Sequence, residues 1–247
     1  MSVHNSFKQR PRKWEVWEGN RRYLQLMMAR AQGLLPEMEC AKQMYEILVS
    51  RAIFPLRVLD VCCSCGHYYH TVKRRNPEVE YEGVDISPSY VFAGQEIFAG
   101  NSRVRIRLGD LFHLAYPDNS FDLVLCYNTI QNLPHFKKPL RELVRVSSQH
   151  VLVRMLCSRE RRLFREVKRK EETLEGTSVQ YEYHNTWSFQ EIQNYLAELG
   201  AYTVEFLPDQ VTQLPAGQET QIINGRQYLR GIPYEWWHVL ISKPEGL

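Results

Sequence analysis

Short apolar runs alternate with helical stretches between residues 57 and 157, and this alternation constrains the fold more than any other feature. The predicted strands are Arg57–Val61, Tyr81–Val84, Val104–Leu108, Phe121–Cys126 and Val151–Leu156. The predicted connecting helices are His67–Arg75, Ser89–Ala99 and Lys137–Val146. Repeated strand–helix units are typical of a parallel sheet with helices on both faces. Since Tyr202–Leu207 and Trp237–Ser242 add two strands, we expect a Rossmann-like, doubly wound α/β fold with a mostly parallel, seven-stranded sheet.

Residues 1–50 predict helices that lie outside this alternation. Arg21–Ala31 forms the first, and Pro36 opens a second whose apolar residues recur at helical spacing. These apolar residues are Met38, Ala41, Met44, Ile47 and Leu48. Such a stripe usually packs against a core. We therefore expect an N-terminal helical segment, 1–50, against one main domain, 51–247.

Two polar segments of the main domain are expected to be inserts that form a lid over one end of the sheet. The segment 158–184 begins with a highly charged stretch, Ser158–Glu175, whose basic and acidic residues interleave at helical spacing, so we predict a helix there. The segment 208–233 is rich in Gln and Gly and predicts a loop. Between them, Ser188 and Glu191 form a capping box that predicts the start of a further helix.

Composition narrows the class of protein. A chain of 247 residues can form one sizeable α/β domain with additions. The net charge of +3, from 31 basic and 28 acidic residues, does not demand a nucleic-acid partner. The sequence has no apolar run of about 18 residues and no secretory signal, so we expect no membrane association and a cytoplasmic location. Six cysteines are expected to be free thiols, and because Cys62 and Cys65 lack a second ligand pair, no metal site is expected.

Candidate binding residues follow the predicted strands at their carboxyl ends, where ligands of doubly wound sheets bind. Asp60 lies at the end of the first strand and leads into a turn of small residues that ends at Gly66. Asp85 ends the second strand, at the spacing from the turn at which an acidic residue can accept hydrogen bonds from ribose hydroxyls. Asp110 follows the third strand, where its carboxylate can accept from an adenine amino group. Asn128 follows the fourth.

Taken together, these stretches resemble the class I S-adenosylmethionine-dependent methyltransferases, in particular the small-molecule branch of the methyltransferase type 11 kind. The resemblance covers residues 57–157 well and 184–243 in arrangement only. The family's first turn usually reads Asp/Glu-x-Gly-x-Gly-x-Gly, and here Cys62 and Ser64 replace two of the glycines. The resemblance implies S-adenosylmethionine as co-substrate and S-adenosylhomocysteine as product. The cofactor-binding residues that it implies are Asp60, Cys62, Gly66, Asp85, Ile86, Asp110, Leu111 and Asn128.

Methyl transfer from a sulfonium is an in-line displacement in which positioning can supply much of the rate. A general base helps when the acceptor is a hydroxyl, and His135, after the fourth strand, is our first candidate. His184 and His238 are the other candidates, while Tyr68 and Tyr69 are candidate donor contacts or packing residues.

The sequence leaves the acceptor and the class of function open at several points. We expect a small-molecule acceptor, and the inserts with their aromatic residues suit a lid over one. The arginine- and lysine-rich stretch within 159–170 leaves an RNA methyltransferase as an alternative. The altered first turn leaves a catalytically inactive binding module. An NAD-binding domain is disfavoured because a pyrophosphate needs the missing glycines. The oligomeric state is not predicted.

Overall fold

The computed structural model describes residues 17–173, 176–200, 202–210, 220–223, 226–229 and 232–244. Its helices are α1 (Arg21–Ala31), α2 (Glu39–Ser50), α3 (Tyr69–Arg75), α4 (Pro88–Phe98), α5 (Lys137–Val146) and α6 (Phe189–Leu199). Its first strands are β1 (Arg57–Val61), β2 (Glu80–Asp85), β3 (Val104–Leu108), β4 (Phe121–Tyr127), β5 (Ser147–Ser158), β6 (Arg165–Thr173) and β7 (Gly176–Tyr183). The remaining strands are β8 (Trp187–Ser188), β9 (Thr203–Pro208), β10 (Thr220–Ile223), β11 (Arg226–Leu229), β12 (Ile232–Tyr234) and β13 (Trp236–Ser242).

The main sheet has the strand order β3-β2-β1-β4-β5-β13-β9, which confirms the predicted doubly wound, mostly parallel sheet of seven strands. The first five strands are parallel, while β13 runs antiparallel to both of its neighbours. The two-residue strand β8 adds an eighth member beside the end of β5. The chain reverses its direction of winding between β1 and β4. The carboxyl ends of these two strands therefore border the crevice in which such sheets bind ligands.

The sheet buries side chains on both faces, because successive residues of a strand point to opposite sides. On one face Val58 and Leu123 pack with Met44 and Leu48 of α2, and all four side chains are fully buried. The other face packs against α5 and α6. The apolar stripe of the N-terminal segment is thus part of the main core, as its spacing predicted. The helix that carries it begins at Glu39 and not at Pro36.

The predicted helix over Ser158–Glu175 is wrong. Residues Arg165–Thr173 form β6, which pairs antiparallel with β7 in a two-stranded sheet. The interleaved charges that favoured a helix fit a hairpin equally well, because opposite charges can also pair across strands. The partner stretch Gly176–Tyr183 is rich in Thr, Val and Tyr, residue types that favour strands. The composition of β7 therefore favours a hairpin over a helix in this segment.

The segment 208–233 is more regular than the loop that the sequence predicts. Thr220–Ile223, Arg226–Leu229 and Ile232–Tyr234 pair in the order β10-β11-β12 as a small antiparallel sheet. Residues 211–219, 224–225 and 230–231 of this predicted insert lie outside the described residues.

None of the helices within the described ranges combines the length and the apolar character that crossing a membrane requires.

Candidate functional site

A cavity of about 180 Å³ lies at the carboxyl ends of β1, β2 and β4, where the strand order reverses. Residues that follow β2 and β3 form one part of its lining: Asp85, Ile86, Ser87, Gly109, Asp110, Leu111 and Phe112. The N-terminal helices and the residues before them form a second part: Trp17, Tyr23, Met27 and Met38. The turn after β1 and the end of β4 contribute a third part: Cys62, Ser64, His67, Tyr68, Tyr127 and Asn128. A concave, mostly apolar site with a few polar groups is typical of small-molecule binding.

Six of the eight predicted cofactor-binding residues line this cavity: Cys62, Asp85, Ile86, Asp110, Leu111 and Asn128. Asp60 and Gly66 lie outside the lining and support the turn from within the protein. Asp60 is buried and accepts a hydrogen bond from the hydroxyl of Tyr81. Burial raises the pKa of Asp60 and the hydrogen bond from Tyr81 opposes that rise, so that the resulting pKa is about 7.

The turn between β1 and α3 keeps a glycine-type path although two glycines of the usual pattern are replaced. Cys62, Ser64 and Gly66 all have left-handed backbones, with φ of 63°, 54° and 83°. This conformation costs a residue other than glycine about 1–2 kcal/mol. Hydrogen bonds to β2 hold the turn in place: the Cys62 N–H donates to the Val84 carbonyl at 2.7 Å, and the Ser64 N–H donates to Asp85 at 2.8 Å. These hydrogen bonds fix the turn, whose residues Cys62 and Ser64 form part of the cavity wall.

The two aspartates of the lining are fixed by backbone N–H groups. Oδ2 of Asp85 accepts from Ser64, and Oδ1 accepts from Ser87 at 3.0 Å. Burial raises the pKa of Asp85, and the N–H groups of Ser87 and Ser64 oppose that rise by stabilising the charged form. Oδ1 of Asp110 accepts from the Phe112 N–H at 2.9 Å. Because a carboxylate oxygen has two lone pairs, both side chains retain capacity to accept from a ligand.

A buried polar network stands behind Asn128 and reaches the N-terminal helices. Asn128 donates from Nδ2 to the Tyr68 hydroxyl at 3.2 Å, and its Oδ1 accepts from the guanidinium of Arg154. Arg154 also forms a buried salt bridge with Asp209. Oδ1 of Asp209 accepts from Nε2 of Gln43 on α2 at 2.8 Å. This network links the end of β4 to α2 and to the start of the segment 208–233.

The structure places His135 and His184 outside the cavity lining. His135 is exposed and packs edge-on against Phe112, with 5.4 Å between ring centroids. Its role as general base stays a prediction that the cavity does not support. His184 lies after the β6–β7 hairpin, and its Nδ1 is 2.6 Å from the Tyr234 hydroxyl. Neither side chain is among the groups that a ligand in the cavity would meet.

His238 lies behind the lining, while His67 is a lining residue that the sequence analysis did not select. Nδ1 of His238 is 3.1 Å from the hydroxyl of Tyr127, and burial lowers the His238 pKa to about 4. His67 packs on Tyr68 with 4.2 Å between ring centroids, and both its ring nitrogens are buried without a partner among the described residues. Its position directly after Gly66, at the end of the turn, was the available signal.

Substitution of Gly66 tests the packing beneath the turn. We expect Gly66→Ala to lower the free energy of unfolding by about 2–4 kcal/mol, since φ is +83° and the new Cβ would lie 2.8 Å from Cδ1 of Ile106. Chemical denaturation measures this loss. Gly33→Ala is the control for φ alone, because Gly33 has φ of +73° with open space around it, and Gly100→Ala has neither constraint. Equal losses for Gly66→Ala and Gly33→Ala would show that contact with Ile106 is unimportant.

Comparison with known families connects this cavity to a function. A family model described as a methyltransferase domain matches residues 55–214, which is more than half of the chain. The chain belongs to the methyltransferase domain family. The matched residues include β1 to β5, which carry the turn and both aspartates of the cavity. The resemblance inferred from the sequence is thereby confirmed.

The alignments with curated relatives cover only part of the length of each relative. The chain is 32% identical over 163 residues to ajmaline N-methyltransferase of Rauvolfia serpentina, covering 62% of the chain and 53% of that enzyme. It is 38% identical over 93 residues to demethylmenaquinone methyltransferase of Deinococcus radiodurans, covering 37% of the chain and 39% of that enzyme. The chain thus spans about half or less of these relatives, so their substrates do not transfer to it directly.

Solved structures show the same fold at low sequence identity. An S-adenosylmethionine-dependent methyltransferase from Clostridium acetobutylicum is 12% identical, with a TM-score of 0.57 over 90% of this chain and 97% of the other. Magnesium protoporphyrin IX methyltransferase from Synechocystis, solved with bound SAH, is 14% identical, with a TM-score of 0.52 over 92% and 90% of the two chains. These similarities establish the Rossmann-like fold.

Proposed function

We propose that this methyltransferase domain binds S-adenosylmethionine in the cavity and transfers its methyl group to a small-molecule acceptor. One observation carries the proposal: Asp85 and Asp110, at the ends of neighbouring strands, line a single cavity at the point where the strand order reverses. Two hydrogen-bond acceptors at this place match the two hydrogen-bonding ends of an adenosine, its ribose hydroxyls and its amino group.

The lining residues fit the donor in their chemistry. In the proposed complex, Asp85 accepts hydrogen bonds from the ribose hydroxyls and Asp110 accepts from the adenine amino group. Ile86 and Leu111 supply apolar contacts to the base. Because Asp85 and Asp110 are already fixed by backbone N–H groups, binding requires little reorganisation of these side chains.

The donor, when bound, supplies a methyl group on a positively charged sulfur, and the protein's part is to orient the acceptor and exclude water. Trp17, Tyr23 and Met27 line the part of the cavity that the N-terminal residues contribute. This apolar surface suits an apolar or aromatic acceptor held against the donor. The names of two relatives, ajmaline N-methyltransferase and demethylmenaquinone methyltransferase, support the choice of a small-molecule acceptor.

The alternative functions have less support. The charged segment that favoured RNA forms a hairpin in which β6 carries acidic as well as basic residues and β7 carries no basic residue, which differs from the strongly basic composition of a nucleic-acid site. An inactive module is disfavoured because the altered turn keeps its path and its bonds to β2. We retain two proposals from the sequence. One is a lid role for the inserts 158–184 and 208–233, and the other is a cytoplasmic location, which the six free cysteines support.

Calorimetric titration with S-adenosylmethionine and S-adenosylhomocysteine tests the donor site, and NAD serves as the control ligand. We expect both adenosyl compounds to bind with micromolar dissociation constants and NAD not to bind. Methyl transfer is then measured with a methyl-labelled donor on a panel of amines, phenols and carboxylic acids, with total RNA as a separate acceptor. Folded protein that binds neither adenosyl compound would refute the proposal, and label on RNA alone would favour the RNA methyltransferase.

A further inference from the structure

The β6–β7 hairpin carries three side chains of metal-ligating types that lie close together, outside the donor cavity. Glu166 on β6, Glu182 on β7 and His184, just after β7, each place one ligand atom within 4.8 Å of those of the other two. Nε2 of His184 lies 3.7 Å from Oε1 of Glu182. In the part of the chain that the structure describes, this is the one place where three His, Cys, Asp or Glu side chains converge in this way.

The register of the hairpin brings the three side chains together. Glu166 pairs directly with Glu182 across the strands, and the side chains of directly opposed residues lie on the same face. The His184 N–H donates to the Phe164 carbonyl at 3.0 Å, so the pairing continues past β7. Glu182 and His184 are two positions apart in this extended chain and therefore also share a face. Strand register creates the group, so the cysteine spacing from which we expected no metal site could not reveal it.

A tyrosine from another strand orients the histidine ring. The Tyr234 hydroxyl on β12 lies 2.6 Å from Nδ1 of His184. When Nδ1 carries the ring proton and donates it to this oxygen, Nε2 keeps its lone pair and faces Glu182. Metal-ligating histidines almost always have such a partner on the second nitrogen, which fixes the tautomer and the ring orientation. The side chains of His184 and Glu182 are only 12% and 14% exposed, so most competing water is excluded.

We infer that Glu166, Glu182 and His184 bind a divalent transition-metal ion, with Zn²⁺ as the preferred ion. A tetrahedral Zn²⁺ holds nitrogen and oxygen ligands at about 2.0–2.2 Å, which places those ligands about 3.3–3.6 Å from one another. The 3.7 Å between Nε2 and Oε1 is close to this spacing, and the flexible side chain of Glu166 can close the remaining gap. The imidazole favours Zn²⁺ over Mg²⁺ and Ca²⁺, which prefer oxygen ligands alone.

Binding at this site would stabilise a segment that is anchored beside the donor cavity. Asn185 directly follows the proposed ligand His184. Its N–H donates to the Gln131 carbonyl at 2.8 Å, and its Nδ2 donates to the Leu133 carbonyl at 2.9 Å. Leu133 lines the donor cavity, whereas none of the three ligands is part of the described lining. The metal site is therefore separate from the donor site, although one short segment connects them.

Titration of the full chain with ZnCl₂, after treatment with a chelator, tests the site. We expect a single ion to bind with a micromolar or lower dissociation constant. Glu182→Gln and His184→Gln should each weaken binding by more than about 100-fold, because each removes a ligand. Tyr234→Phe removes only the hydroxyl behind the ring and should weaken binding about 10- to 100-fold. Glu39→Gln, which removes an exposed carboxylate paired with Lys42, is the matched control and should leave the affinity unchanged.

Hydrogen exchange measured by mass spectrometry locates the ion. Zn²⁺ should slow exchange of the β6 and β7 amides in the wild-type protein and should have no such effect in His184→Gln. Folded wild-type protein that binds no Zn²⁺ would overturn the inference. Unchanged affinity in both Glu182→Gln and His184→Gln would do the same, because it would place the ion elsewhere, for example on the cysteines. So would equal affinities for Zn²⁺ and Mg²⁺, which would indicate an unselective acidic surface.

Two features of these measurements keep their interpretation clear. Thermal unfolding of each ion-free variant shows that the protein tested is folded. Because no methyl donor is present, the result is independent of the proposed function, and failure of the metal site would leave the donor site untouched.

Discussion

Asp85→Ala is expected to weaken S-adenosylmethionine binding by about 100-fold or more, measured by calorimetric titration. In the proposed complex this carboxylate accepts from both ribose hydroxyls, and each hydrogen bond to a charged acceptor contributes about 1.5–3 kcal/mol. The substitution also removes the acceptor for the N–H groups of Ser64 and Ser87. The turn after β1 therefore loses one of three hydrogen bonds to β2, since the N–H groups of Cys62 and Cys63 both still donate to the Val84 carbonyl.

Two further variants separate the lost contact from a general effect of removing a carboxylate. Asp85→Asn keeps the size of the side chain and one acceptor oxygen, so we expect an intermediate loss of about tenfold. Asp118→Ala removes an exposed carboxylate that pairs with Arg145 on the surface, and donor binding should not change. Wild-type affinity in a folded Asp85→Ala protein would place the adenosine elsewhere. Thermal unfolding of each variant shows that the protein tested is folded.

Asp209→Ala is expected to lower the free energy of unfolding by about 3–5 kcal/mol. The side chain of Arg154 is 10% exposed and that of Asp209 is 1% exposed, so the variant leaves a guanidinium buried without its carboxylate. The loss corresponds to a decrease in melting temperature of about 6–20 °C for a chain of this size. Thermal and chemical denaturation measure it. Gln43 also loses its bond to Oδ1 of Asp209, which weakens the attachment of α2.

The control for this prediction is an exposed ion pair that involves Glu205 on β9, the strand that ends just before Asp209. Glu205→Ala removes the partner of Arg51 in an ion pair whose two side chains are each 37% exposed, and exposed pairs contribute about 0–1 kcal/mol. The double variant Arg154→Met/Asp209→Leu removes both buried charges and should recover much of the stability lost by Asp209→Ala. A loss below about 1 kcal/mol for Asp209→Ala would mean that the carboxylate does not balance the buried charge of Arg154.

The elements that the sequence predicted correctly carry a distinct local signal, such as a continuous apolar run or a capping box. Phe121–Cys126 is almost wholly apolar, which is characteristic of a central strand covered on both faces, and it forms β4. Ser188 and Glu191 predicted the start of α6, and the structure has the complete capping box. The hairpin of β6 and β7 was missed because a run of charged residues has no apolar period, so that its sequence pattern does not distinguish a helix from a hairpin.

Local sequence determined the fold and the half of the cavity that the sheet supplies. Asp85 and Asp110 were recognisable because Asp85 ends β2 and Asp110 closely follows β3, and parallel strands bring their carboxyl ends to the same edge. Tertiary structure alone decided the other half. His70 meets the carbonyl oxygen of Ala31 only because α1 packs against α3, and Asp209 meets Gln43 across 166 positions of sequence. Such pairs depend on how whole elements pack, and no periodicity within either segment encodes that packing.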